Sequence, residues 1–432
     1  MRIALVRSPT PRIIDPTLYP PTGLAYIAGA VDVLRPGVRV DVLDFAAGTM
    51  DDVTDAVAGK YDVVGMTVVS PYWDEESACA TAIRELGILV VAGGPHPTVC
   101  PSETLESGCF DVIFTGAGEL SFCGFIDDFR RGFHRKLYHA VESDLDALPL
   151  PRLVTGHGDR GNIILSSRGC VNRCAFCSGG ICFPRVQLHS AERVLEEVDR
   201  LVENGAASFR FLDDMFAISL GRLAEICAGL AKRGVPWSCH TRVDRALPEV
   251  VNMMARSGCY EIGLGVESFD QRVLDVCNKN TTVEENVAAI ETVHAHGIDC
   301  HVYLMIGTPG ESATTADVNI SWLRKLAGKF DRLQFSSFMP FPGCPVWRTP
   351  ESFGVRITDR DFRHFNQHQY MRGETGITRV PLWSPVRIDG LSLEEQLGNL
   401  RKMREYVTVL AEFRRLRIPP DEQSGSRQRG VL

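Results

Sequence analysis

Cys170, Cys174 and Cys177 stand in SSRGCVNRCAFCSGG as C-x3-C-x2-C, directly after an aliphatic run that reads as a strand. Three thiolates on one loop suit an iron–sulfur cluster better than tetrahedral zinc, which draws four ligands from paired segments. A cubane anchored by three sulfurs leaves one iron open to a substrate or cofactor. Cys182 is an awkward fourth ligand because Gly179 and Gly180 intervene. The other cysteines are scattered and read as free thiols packed as small apolar groups. A disulfide framework is not expected in a chain that reads as cytosolic.

Positioning such a loop takes a sizeable scaffold, and 432 residues with 44% hydrophobic content supply one. A net charge of −8 argues against general nucleic-acid or acidic-membrane binding, which needs a basic face. No apolar run approaches the roughly 18 residues of a membrane span. The opening MRIALVRSPTPRII holds only a short apolar stretch before Arg7, so no secretory leader is expected. These features predict a cytoplasmic location.

Five strands alternate with helical stretches over 1–142: RIALV (2–6), VRVDVLDF (38–45), DVVGMTVV (62–69), ILVVAGG (88–94) and DVIFTG (111–116). That alternation predicts a doubly wound, Rossmann-like parallel sheet, with ligands beyond the carboxyl ends of its strands. SDLDALPLPR (143–152) opens a linker over 143–160. A second series over 161–350 offers six strands: NIILSS (162–167), SFRFLDD (208–214), WSCHTRVD (237–244), EIGLGVES (261–268), DCHVYLMIG (299–307) and RLQFSSFM (332–339). Six units suit an open, partial (β/α)6 barrel with its chemistry at the carboxyl ends. Residues 351–432 form a small carboxyl-terminal region with one helix (391–416), and the last dozen residues read as disordered. The expected fold class is α/β.

Strand alternation also sorts the barrel residues. Ile262, Leu264 and Val266 face covering helices, leaving Gly263, Gly265 and Glu267 inward. By the same parity His240, Arg242, His301, Tyr303, Gln334 and Ser336 look in, giving a polar lining where a structural barrel would be aliphatic. His240, His301 and Tyr303 are the candidate catalytic acid–base residues.

The cysteine triad, with Phe176 before its last member, resembles the signature of the radical S-adenosylmethionine (SAM) superfamily over about 162–350. The resemblance implies a [4Fe-4S] cluster whose unique iron chelates SAM. One-electron cleavage then yields methionine and a 5′-deoxyadenosyl radical that abstracts hydrogen from a small-molecule substrate. It further implies cofactor contacts from Phe176, from Asp213 or Asp214 in FLDDMF, from Arg242 in TRVD, and from Glu267 and Ser268 in GVES. Gly307 in MIGTPGE falls in the loop that lies against adenine. The family's Gly-Gly-Glu stretch is replaced by Asp213-Asp214 here. An external electron donor of flavodoxin or ferredoxin type is implied as a partner.

YPPTGLAYIAG (19–29), DVVGMTVVS (62–70), GGPHPT (93–98) and GAGE (116–119) resemble, in this order, the cobalamin-binding domain that precedes many radical SAM cores. The resemblance implies that Thr67 or Ser70 hydrogen-bonds the nucleotide tail, and that Gly93 and Gly94 let it approach the backbone. There is no Asp-x-His-x-x-Gly stretch, so no histidine is positioned as a lower axial ligand.

The leading expectation is a cobalamin-dependent radical SAM methyltransferase of specialised metabolism, such as antibiotic biosynthesis. The alternatives are a cobalamin-independent radical dehydratase, epimerase or rearrangement enzyme acting on an aminosugar or polyol, and an iron–sulfur or corrinoid carrier without turnover. Replacing Cys170, Cys174 and Cys177 together with alanine should abolish both the brown colour and 5′-deoxyadenosine formation. Persisting SAM cleavage in that variant would refute the cluster assignment.

Overall fold

The computed structural model describes residues 1–11, 19–154, 157, 161–365 and 383–415, with side chains through 408. Its first sheet contains β1 (Arg2–Arg7), β2 (Arg39–Asp44), β3 (Val63–Thr67), β4 (Leu89–Gly93), β5 (Val112–Thr115) and β6 (Leu137–His139). All pair in parallel in the order β2-β1-β3-β4-β5-β6. Ile3 and Leu5 pack under helices Thr22–Leu34 and Glu119–Arg130, while Ala4 and Val6 pack under Met50–Val57 and Trp73–Glu85. Covering both faces in this way explains why the strands read as continuous apolar runs. The order reverses between β1 and β3, which opens a crevice at their carboxyl ends.

Two details of this first sheet differ from the sequence reading. β6 is a sixth strand, too short and too polar for periodicity to reveal. The turn-rich stretch after β4 holds two short helices, Pro95–Val99 and Pro101–Glu106, each opened by a proline at its first position.

The second sheet is built from β7 (Ile163–Ile164), β10 (Phe209–Phe211), β11 (Trp237–Arg242), β12 (Cys259–Glu267), β13 (Asp299–Ile306) and β14 (Arg332–Ser337). They pair in parallel in the order β14-β13-β12-β11-β10-β7. β7 is shorter than expected. Past it, β8 (Ser167–Arg168) leaves the sheet to pair antiparallel with β9 (Gln187–Leu188), and this ribbon brackets the cysteine loop. The buried Asp213 carboxylate enforces the break by accepting from Ser166 N (2.7 Å) and the Ser167 hydroxyl (2.7 Å). β15 (Val355–Ile357) and β16 (Val386–Ile388) form an antiparallel pair, and helix Leu393–Arg415 buries Leu400, Met403 and Val407 in the barrel's outer core. The tail expected to be disordered lies outside the described residues.

The segment after residue 142 is pinned down. Leu145 and Leu148 are buried, and Asp146 accepts from Ser190 N at 3.0 Å. A Cβ on Gly29 would stand 2.1 Å from the Leu150 carbonyl oxygen, so only glycine lets the first unit's helix meet this segment. Gly29→Val should therefore destabilise the chain by about 1–3 kcal/mol and expose the 143–154 segment to limited proteolysis. Wild-type protection in that variant would contradict the packing.

Candidate active site

The barrel interior is arranged in three tiers. At the amino ends of the strands, buried Glu261 pairs with Arg332 (2.7 Å) and Arg210 (3.5 Å), and Arg210 Nε donates to the Ser238 hydroxyl at 3.1 Å. These charges close the floor, and parity alone would have found Arg210 and Glu261 on the inward face.

The middle tier brings together the three candidate acid–base residues. His240 Nε2 and Tyr303 Oη are 3.1 Å apart, and His301 stacks on Tyr303 with ring centroids 4.3 Å apart. Gly263 makes this possible: its Cβ would lie 2.5 Å from His240 Cδ2 and 2.7 Å from Tyr303 Cε2. Burial depresses His240 to about 4, so the imidazole is neutral at pH 7, and burial also raises the Tyr303 phenol.

The top tier meets the cysteine loop. Cys170 accepts from the backbone N–H of Asn172 at 3.5 Å, Cys177 from that of Gly179 at 3.4 Å, and Cys174 from Arg242 Nη1 at 3.6 Å. No thiol is tied in a disulfide. Among the described residues, the set of metal-donor atoms lying within 4.8 Å of one another is His96, Cys100 and Glu103, so the three loop sulfurs are not drawn around a single ion. Sulfurs spread over a loop and met by N–H donors and a guanidinium fit a thiolate-held cluster. Burial raises Cys174, opposed by Lys279 and Arg242, while Cys177 stands at the exposed edge of the loop.

Lys279, which no sequence pattern flagged, is buried here. Its ammonium pairs with Glu267 at 2.9 Å and lies 6.0 Å from the Phe176 ring centroid. Glu267 itself sits at φ 64°, beside a register shift between β12 and β13 that turns its carboxylate back over Gly265. A non-glycine residue held in that region is strained, and such strain concentrates at functional sites.

Several expected contacts are already engaged elsewhere. Asp213 is spent on Ser166 and Ser167, leaving Asp214 as the member of the pair that faces open space. Arg242 donates to Asp244 (2.8 Å) and to the Lys279 carbonyl (2.6 Å) as well as to Cys174, so a SAM-carboxylate contact would require releasing one of these. Ser268 is buried, its hydroxyl 3.3 Å from Asn319 Oδ1, and does not reach the lumen. The Gly307 N–H bonds the buried Glu311 carboxylate, which gathers the 307–311 turn. The Ser70 hydroxyl is 2.9 Å from His96 Nδ1, which leaves Thr67 as the polar group at the end of β3.

A cavity of about 510 Å³ opens between the two units. Thr67, Gly93, Gly94 and Gly116 line it from the strand ends of the first sheet, and Arg168, Cys182 and Asp214 from the cysteine side. It continues inward past Gly65, where a Cβ would come within 2.8 Å of Leu5 Cδ2. Gly94 has φ 103°, and a Cβ there would stand 3.0 Å from the Val68 carbonyl oxygen. This glycine-lined trough is the kind of cradle that a large ligand tail approaching backbone requires. The buried Arg168–Glu119 ion pair, with Arg168 between the Tyr26 and Phe183 rings, joins the units at its wall.

Residues 164–320 match the family model of the radical SAM superfamily, and residues 16–126 match that of the B12 binding domain. The chain is a radical SAM protein with an amino-terminal B12-binding domain. Its family cofactors are a [4Fe-4S] cluster, SAM and cobalamin. This radical SAM protein is 29% identical over 386 residues to an uncharacterized methyltransferase from Pyrococcus horikoshii, covering 80% of this chain and 82% of the relative. It is 27% identical over 426 residues to the anaerobic magnesium-protoporphyrin IX monomethyl ester cyclase of Rubrivivax gelatinosus, covering 89% and 73%. Its fold is similar to that of the methyltransferase TsrM from Kitasatospora setae, solved with cobalamin and a [4Fe-4S] cluster bound, with TM-score 0.73 and 17% identity over 98% of this chain and 91% of that one. Among the described residues no helix is long and apolar enough to cross a membrane.

His240 should remain neutral down to pH 5.5, as nitrogen-resolved NMR of labelled histidine would record. A His240 signal titrating near the ordinary value of about 6.5 would contradict the closed His240–Gly263–Tyr303 arrangement.

Proposed function

We propose that this protein is a cobalamin-dependent radical SAM methyltransferase that methylates carbon on a small molecule of specialised metabolism. The supporting observation is the position of Asp214: it lines the inter-unit cavity, and a Cβ on Gly179 would touch both its carboxylate (3.7 Å) and Cys177 Sγ (3.4 Å). The cavity therefore runs from the glycine trough to Asp214, which lies beside the Cys177 end of the cysteine loop. When bound, the cluster and SAM supply hydrogen-atom abstraction, and cobalamin supplies methyl carriage.

The chain's own residues do the rest. Cys170, Cys174 and Cys177 hold the cluster, and Asp214 offers a carboxylate to the amino group of SAM. Gly93, Gly94 and Thr67 receive the corrinoid tail. The Arg168–Glu119 pair and apolar residues such as Leu5, Val91 and Phe114 wall the gap. His240 and Tyr303, both neutral and hydrogen-bonded to each other, offer polar groups to substrate hydroxyls. A low-potential flavodoxin- or ferredoxin-type protein supplies the electron.

The similarity to a cyclase favours a second reading, in which the same initiating step ends in ring closure or another rearrangement without methyl transfer. Anaerobic reconstitution with iron, sulfide, SAM and reductant, with and without hydroxocobalamin, separates the two. The methyltransferase reading predicts retained corrinoid and S-adenosylhomocysteine formed only in its presence, alongside 5′-deoxyadenosine. Formation of 5′-deoxyadenosine with no S-adenosylhomocysteine in either arm would contradict it.

A further inference from the structure

Arg242 is held at all three of its donor nitrogens. Its Nε donates to Asp244 at 2.8 Å, Nη2 to the Lys279 carbonyl at 2.6 Å, and Nη1 to Cys174 Sγ at 3.6 Å. The residue is only 6% exposed, so its charge is poorly screened by solvent where it meets the sulfur. The carbonyl it grips belongs to the lysine whose ammonium neutralises Glu267, so the guanidinium also fixes the neighbouring cation. Cys170 and Cys177 receive backbone N–H groups, and the Asn172 side-chain amide reaches Cys170 at 3.6 Å. Among the hydrogen bonds these three sulfurs accept, that to Cys174 comes from a cationic side chain.

We infer that Arg242 is a positioning residue that raises the reduction potential of the cluster through its charge-assisted hydrogen bond to Cys174. The inference rests on the cluster reading above. An electron added to the cluster increases negative charge on its sulfurs, and a donor and positive charge held against one of them stabilise the reduced form. Arginine does this with a geometry that lysine cannot copy, because its planar fork reaches sulfur, carboxylate and carbonyl together. The role differs from that expected of the same residue as a partner of the SAM carboxylate, and the two are separable because the potential can be measured without SAM.

The test is a redox titration of the reconstituted full-length protein without SAM, followed by EPR of the reduced cluster, with iron content measured on each sample. Arg242→Gln should lower the reduced-to-oxidised ratio at a fixed potential about tenfold, which for a one-electron couple is a shift of about 59 mV to lower potential. Arg242→Lys, which keeps the charge but loses the fork, should shift in the same direction by less. An unchanged potential in either fully loaded variant overturns the inference. If Arg242→Gln does not take up iron, Arg242→Lys alone decides. If neither loads, Arg242 is a folding residue and the inference also falls. Failure of the wild-type protein to bind iron would instead overturn the proposed function.

Discussion

The proposed chemistry depends on three cysteines of one short loop presenting their sulfurs apart from one another, so that a cluster can seat against all three. The chain meets that demand with donors: N–H groups on Cys170 and Cys177, and the Arg242 guanidinium on Cys174. It also stitches the loop to distant segments through backbone bonds, Ala175 N to Cys277 O (2.8 Å) and Val346 N to Ala175 O (3.1 Å). The β8–β9 ribbon holds its entry. Sulfurs spread over one loop and met by N–H donors and a guanidinium could hold a cluster without a fourth protein ligand, and the proposed chemistry depends on the iron that would be left open.

The second constraint is proximity between two large cofactors carried by separately folded sheets. The buried Arg168–Glu119 pair joins the strand-end loop of β5 to the residues just before Cys170. Removing one partner of such a buried pair is costly, about 3–5 kcal/mol, because it leaves the other charge unpaired. The Gly29 contact with Leu150 and the bond from Tyr26 Oη to Glu197 at 3.3 Å add to the same seam.

Much of the barrel was legible because strand parity is a hard rule: Ile262, Leu264 and Val266 are fully buried against helices, and His240, Tyr303 and Gly263 meet inside. The roles of polar residues were less legible, since periodicity gives a face and not a partner. Asp213 and Asp214 are neighbours in sequence, yet one is consumed closing β7 and the other borders the cavity. Ser268 and Ser70 carry suitable hydroxyls that the fold has already paired. Lys279 lies in a loop after helix Gln271–Val276, where no pattern distinguishes a buried cation from a solvated one.

The central claim is that three cysteines leave one iron free for SAM. Pulsed electron–nuclear double resonance of the reduced cluster, with SAM isotopically labelled at its amino nitrogen, tests it most directly. A strong hyperfine coupling to that nitrogen is the predicted result. Its absence, in protein shown to contain a full cluster and bound SAM, would contradict the account.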